Sequence, residues 1–136
     1  VAAVGQQMTV DPGGWTGNPT FTYQWQRCDQ AGSNCVNISG ATVNTYTLTV
    51  NEANYTVRAV VTATEASLST DANSELSQVV QPQLGDINND GVINLFDLGM
   101  LLGKWQNQTN ITQQDLNNDG VVSQLDLNIL LGMYVP

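Results

Sequence analysis

The chain has 136 residues, room for one domain or two small ones, and its 41% hydrophobic against 11% charged residues argues against disorder. Its formal charge of −9, twelve acids against Arg27, Arg58 and Lys104, argues against a nucleic-acid or anionic-membrane binder, since both need clustered cations. No stretch approaches the roughly 18 apolar residues of a membrane span, and the chain begins at Val1 with no signal peptide, which reads as a segment of a longer polypeptide.

The first part of the chain has a period of two. Phe21, Tyr23 and Trp25 alternate with Thr22, Gln24 and Gln26. Tyr46, Leu48 and Val50 alternate with Thr47 and Thr49, and Tyr55, Val57, Ala59, Val61 and Ala63 form the longest run. Alternation of this kind predicts strands with one buried face. Turn signals separate the runs at Asp11-Pro12-Gly13-Gly14, at 29–34 and at Ser39-Gly40, so residues 1–81 read as a small antiparallel β-sandwich. Trp15, in a glycine-flanked loop, suits either a lid on that core or a platform that stacks on a sugar ring.

Cys28 and Cys35 are the only cysteines, and the chain has no histidine, which leaves a zinc site short of ligands. The spacing is not that of a C-x-x-C redox pair. The expectation is a disulfide closing a small loop, worth about 2–3 kcal/mol, in an oxidising compartment; two free buried thiols are the alternative. The run Thr22-Tyr23-Gln24-Trp25-Gln26-Arg27-Cys28, with Cys35, Ile38-Ser39-Gly40-Ala41-Thr42 and Tyr46-Thr47-Leu48, resembles bacterial immunoglobulin-like domains. That resemblance implies a spacer with Trp25 as its core tryptophan. The cysteines lie too close in sequence to bridge opposite sheets, and would pin neighbouring strands.

The pattern changes after Gln81-Pro82-Gln83-Leu84-Gly85, which places a second domain at residues 82–136. From Asp86 runs D-I-N-N-D-G-V-I-N-L-F-D, and from Asp115 runs D-L-N-N-D-G-V-V-S-Q-L-D. Both carry the oxygen ladder of an EF-hand loop. Positions 1, 3, 5, 9 and 12 are Asp86, Asn88, Asp90, Asn94 and Asp97 in the first, and Asp115, Asn117, Asp119, Ser123 and Asp126 in the second. Position 7 supplies a backbone carbonyl from Val92 or Val121. Calcium takes six to eight hard oxygen ligands, which short side chains at alternate positions deliver while a position-6 glycine (Gly91, Gly120) turns the chain. Two calcium ions are expected. Magnesium suits the loops less, because it keeps more of its water.

Helical spacing follows each loop: Leu95, Leu98, Leu101, Leu102 and Trp105, then Leu127, Leu130, Leu131 and Tyr134. Asn94 and Ser123 suit the N-caps, with Asp97 and Asp126 three residues on in the manner of a capping box. At an offset of 29 the two units share eleven identities over residues 86–105. They read as a paired repeat in which Ile93 meets Val122, with Leu98, Leu101, Leu127 and Leu130 behind.

No helix is expected ahead of either loop, and position 12 is Asp where calcium sensors carry Glu. Duplicated loop–helix units of this kind, in the segments 85–94 and 115–123, resemble a dockerin over residues 84–136. The resemblance implies calcium-dependent folding, a cohesin partner on a secreted or surface protein, and a role in assemblies that degrade polysaccharide. It carries the contact face to Leu95, Phe96 and Leu102 in the first repeat and Gln124, Leu125 and Leu131 in the second. These apolar residues depart from the hydroxyl-rich clostridial pattern, and Phe96 and Leu125 equally suit the small core. Presentation of the face by both repeats would permit two binding orientations.

Enzymatic chemistry is not expected, since no nucleophile has a base beside it and six of the twelve acids belong to the loops. The remaining alternatives are a purely structural calcium module and a carbohydrate-binding sandwich. Asn37, Asn54, Asn107 and Asn110 head N-x-[ST] sequons, read as chance occurrences. The chain is expected to be extracellular, bacterial, and monomeric without its partner.

Overall fold

A computed structural model of the chain describes residues 1–105 and 108–134. It divides into two compact units, Val1–Gln81 and Pro82–Pro136.

The first unit is all β. Its strands are β1 (Gln7–Thr9), β2 (Thr20–Cys28), β3 (Val36–Asn37), β4 (Thr45–Thr47), β5 (Thr56–Glu65) and β6 (Leu68–Asn73). They form a two-stranded sheet, β1-β4, and a four-stranded sheet, β3-β2-β5-β6, with every pair antiparallel. Central β5 shows why alternation forms a sheet here. Val57, Ala59, Val61 and Ala63 are buried, while Arg58, Val60, Thr62 and Thr64 line the other face. Val57, Ala59 and Val61 join Val10, Trp25, Ala41, Leu48 and Val80 in one core, against which Met8 and Tyr46 of the smaller sheet pack. Trp25 is 2% exposed, and its indole N–H donates to the Val43 carbonyl at 2.9 Å. This satisfies the one polar group that the ring would otherwise bury.

Two strand expectations need correction. The run Tyr46-Leu48-Val50 does not stay extended, because β4 stops at Thr47 and Val50–Glu52 form a 3₁₀ turn. The cause is Glu52, whose buried carboxylate accepts from the Thr49 N–H, the Thr49 hydroxyl and the Tyr46 hydroxyl. Thr49 and Glu52 thereby make a capping box that starts the turn. Tyr55, read as the first inward residue of β5, is instead exposed, with Arg27 4.5 Å above its ring. Asn54 before it has φ +67, a left-handed conformation, and β5 begins only at Thr56.

Cys28 and Cys35 form a disulfide from the end of β2 to the approach of β3. Asp29 organises the loop between them, accepting from the Ser33 N–H and the Asn34 amide, both at 2.8 Å.

The second unit holds α1 (Leu95–Trp105) and α2 (Gln124–Met133), each reached through one of the twelve-residue loops. Ile87, Leu101, Leu116, Val122 and Leu130 form its buried core, with Ile93, Leu98, Trp105, Ile111, Leu127 and Ile129 against it. Ile93 and Val122 thus share one cluster. Among the described residues no helix leads directly into either loop; ahead of the second, Ile111 accepts from the Gln114 and Asp115 N–H groups in a single turn.

Candidate functional site

Both loops fold by the same local hydrogen bonds. In the first, Asp86 accepts from Asp90 and Gly91 N–H at 3.0 and 2.8 Å. Asn88 also accepts from the Asp90 N–H, and Asp90 accepts from Val92 N–H and the Asn88 amide. In the second, Asp115 accepts from Asp119 and Gly120 N–H at 3.1 and 2.8 Å, with Asn117 and Asp119 in the matching bonds. Two successive turns of this kind need left-handed backbone. The fourth positions, Asn89 and Asn118, have φ +57 and +58, and the sixth, Gly91 and Gly120, have φ +90 and +88. Asparagine tolerates the first of these conformations and glycine is favoured at the second. Around Gly120 a Cβ would meet nothing within 4 Å, so backbone conformation, not space, demands the glycine.

The twelfth-position aspartates tie loop to helix. Asp97 is fully buried; its Oδ1 accepts from Ile87 and Asn88 N–H at 2.7 and 3.2 Å, and its Oδ2 from Asn94 N–H at 2.8 Å. Asp126 repeats this with Leu116, Asn117 and Ser123 at 2.7, 3.3 and 2.8 Å. Asn94 and Ser123 cap the helices by accepting from Phe96 and Leu125 N–H. Burial pushes the Asp126 carboxyl up, yet the N–H donors of Ser123, Asn117, Leu116 and its own residue outweigh it and hold it below the ordinary carboxylate value.

The donors suit a hard cation. Asp86 and Asp97 in one loop, and Asp115 and Asp126 in the other, are buried anions in a unit whose only basic side chain is Lys104. The Lys104 ammonium is directed to the Thr109 carbonyl at 3.0 Å. Buried carboxylates need more than N–H donors for compensation, and each retains lone pairs beyond those the N–H groups use. Every candidate donor is an oxygen, which suits calcium over thiophilic metals. Among the described residues, however, no three Asp, Glu, His or Cys side chains gather into a ready metal cluster. Backbone N–H groups hold the twelfth-position aspartates; beside the carboxylates, the candidate donors are amide and carbonyl oxygens in the first loop, with the Ser123 hydroxyl in place of one amide in the second.

The six residues carried over as a contact face are all exposed, but they do not form one stripe. Phe96 is 76% and Leu125 58% exposed, so neither belongs to the core. Neighbours on a helix diverge by about 100°, which sets Phe96 apart from Leu95 and Leu102, and Leu125 apart from Gln124 and Leu131. Leu102 and Gln124 come together, lining with Trp105 and Leu127 an open cleft of about 380 Å³ between α1 and α2.

Gln108 and Gln114 escaped the sequence reading, and Gly85 entered it only within the domain boundary and the segment 85–94. Gln108 accepts from the Val122 N–H at 2.7 Å and donates to the Val122, Trp105 and Lys104 carbonyls, clamping the end of α1 to the second loop. Gly85, at φ +90, leaves a space where a Cβ would lie 3.0 Å from the Met133 sulfur. Its counterpart Gln114 is buried with an unpartnered side-chain oxygen. In the β unit, Trp15 is half-buried; its ring lies 6.1 Å from that of Phe21 and its indole N–H donates to the Pro12 carbonyl. With Thr16, Pro19, Glu65 and Leu68 it borders a cleft of about 180 Å³.

Residues 84–132, just over a third of the chain, match the family model of the dockerin type I domain. Dockerin domains are non-catalytic modules of extracellular cellulosome components that bind calcium and dock onto cohesin domains. No curated protein matches the chain. Among the described residues no helix is long and apolar enough to cross a membrane.

Proposed function

We propose that residues 82–136 are a calcium-dependent docking module for a cohesin-type partner, and that residues 1–81 are an immunoglobulin-like spacer that presents it outside the cell. Two calcium ions are assigned, one to each loop. Asp86, Asn88, Asp90, the Val92 carbonyl, Asn94 and Asp97 would hold the first; Asp115, Asn117, Asp119, the Val121 carbonyl, Ser123 and Asp126 the second. The ion supplies charge compensation for carboxylates that repel each other without it. The chain's own residues do the remainder: Asp97 and Asp126 fix the loops onto the first turns of α1 and α2, and so set the exposed helical surfaces. The observation that carries this reading is the repetition, bond for bond, of one loop geometry directly ahead of two helices with exposed apolar residues.

The test is titration of the 136-residue chain with a panel of cohesin domains, in calcium and in EDTA. Binding in calcium that EDTA abolishes is the expected result. No binding to any cohesin, with calcium still bound and the helices still formed, would reduce the unit to a structural calcium module.

A further inference from the structure

The second loop is held from outside, as the first is not. Val122, at its eighth position, lies between the Val121 carbonyl and Ser123, two of the donors assigned to the second ion, and is 2% exposed. The Gln108 side-chain amide takes both backbone groups of Val122. Its Oε1 accepts from the Val122 N–H at 2.7 Å, and its Nε2 donates to the Val122 carbonyl at 3.1 Å. A neighbouring strand would supply the same pair of bonds. The same Nε2 reaches the Trp105 and Lys104 carbonyls at 2.9 and 3.2 Å, in the last turn of α1, where carbonyls have no partner within the helix. In the first loop, side-chain bonds reach Val92 and Asn94 from within the loop itself, and among the described residues none reaches the backbone of the eighth residue, Ile93.

We infer that Gln108 is a positioning residue for the second calcium site, and that it couples the filling of that site to the end of α1, the helix that follows the other loop. This rests on the calcium assignment above. A buried peptide group that loses its partner costs free energy, and water has little access to Val122. Without the Gln108 amide the stretch 121–123 would be ordered only as the ion binds, and part of the binding free energy would go to ordering it. Loss of the amide therefore falls on the second site. The linkage is reciprocal: an ion that orders residues 121–123 also holds Gln108 against the Trp105 and Lys104 carbonyls. A residue that served only to cap α1 would act on the first loop instead, because Asp97, in the first turn of α1, joins that helix to that loop.

Gln108→Leu nearly keeps the size of the side chain and removes its polar atoms. The Gly91 and Gly120 amide resonances of the 136-residue chain report the two loops separately during a calcium titration in chelator buffer. Affinity read at Gly120 should fall about fivefold or more, while affinity read at Gly91 stays within about twofold. Equal losses, a loss at Gly91 alone, or no loss at either overturns the inference and leaves the calcium assignment intact. A second measurement needs no change at Gln108. In Asp90→Ala, with the first loop impaired, calcium entering the second loop should still shift the Trp105 indole N–H resonance, although Trp105 ends the helix of the impaired loop. Adding Gln108→Leu to that chain should remove most of the shift. A Trp105 resonance that ignores calcium in Asp90→Ala overturns the inference even where Gln108→Leu does not fold. The calcium assignment itself fails separately, if neither glycine resonance of the unaltered chain responds to calcium.

Discussion

Asp90 and Asp97 are acids of the same loop, yet their removal should have different consequences. Asp97 is buried and holds three N–H groups, those of Ile87, Asn88 and Asn94. Leaving a buried donor unsatisfied costs about 1–3 kcal/mol each. Asp97→Ala should therefore unfold much of residues 82–136 even in excess calcium. Asp90 is exposed, and the groups it accepts from, Val92 N–H and the Asn88 amide, sit in an exposed stretch where water can replace it. Asp90→Ala should keep its helices and lose calcium affinity. Calorimetric titration with calcium beside helix content by circular dichroism checks both, and the reverse pattern would refute the division of roles. A second residue gives the β unit a response to pH. Burial, then the hydrogen bond and charge of Glu52, raise the Tyr46 pKa to about 12 from 10.0. Because the folded value lies above the unfolded one, the contribution of the neutral phenol is complete below about pH 10 and is lost as pH rises through about 12. Denaturant midpoints should thus hold level to pH 10 and then fall, and Tyr46→Phe should flatten the fall. A decline unchanged in that variant would place the alkaline sensitivity elsewhere.

The elements differ in how openly the sequence declares them. The two twelve-residue loops and the helices after them are legible because their determinants are local: the bonds made by the carboxylates of each loop join residues at most ten positions apart. Strand β5 is legible for a similar reason, since period two needs no knowledge of the partner strand. The break in β4 was hidden because Glu52 reads as a surface acid; only the fold shows it buried against Thr49 and Tyr46. Gln108 was hidden because its role arises between residues fourteen apart, and nothing near it in sequence marks Val122 as its partner. The contact face came by analogy in loop numbering, which ignores the angle that separates Leu95 from Phe96 around a helix. One element carries avoidable strain. The β5–β6 hairpin turns through Ala66 and Ser67, at φ +46 and +73, where Asn-Gly is the favoured pair for two positive angles. Replacing the two by Asn and Gly should stabilise the β unit by roughly 0.5–2 kcal/mol, read as a higher denaturant midpoint. No gain would mean that the turn is strained less than its dihedrals imply.

The disulfide and the proposed calcium sites lie in different units. The disulfide closes residues 28–35, and every assigned calcium donor lies within 86–126. Removing each device should therefore mark a different part of the thermal unfolding curve. Opening the Cys28–Cys35 loop by reduction frees the unfolded β unit to explore more conformations, which costs it about 2–3 kcal/mol. Withdrawing calcium acts through the folded state of residues 82–136. At a hundredfold excess of ion over its dissociation constant each proposed site would contribute about 2.7 kcal/mol, all of it lost in EDTA. The charge balance moves in the same direction, because that unit carries six acids against Lys104 alone and two divalent ions would cancel four of the negative charges. Tryptophan provides the readout: Trp15 and Trp25 report on residues 1–81, and Trp105 on residues 82–136. EDTA should lower the midpoint reported by Trp105 and spare that of Trp25, and a reductant should do the opposite. If either reagent moved both midpoints equally, each device would have to act beyond the unit that contains it, and the account of separate local stabilisation would be rejected.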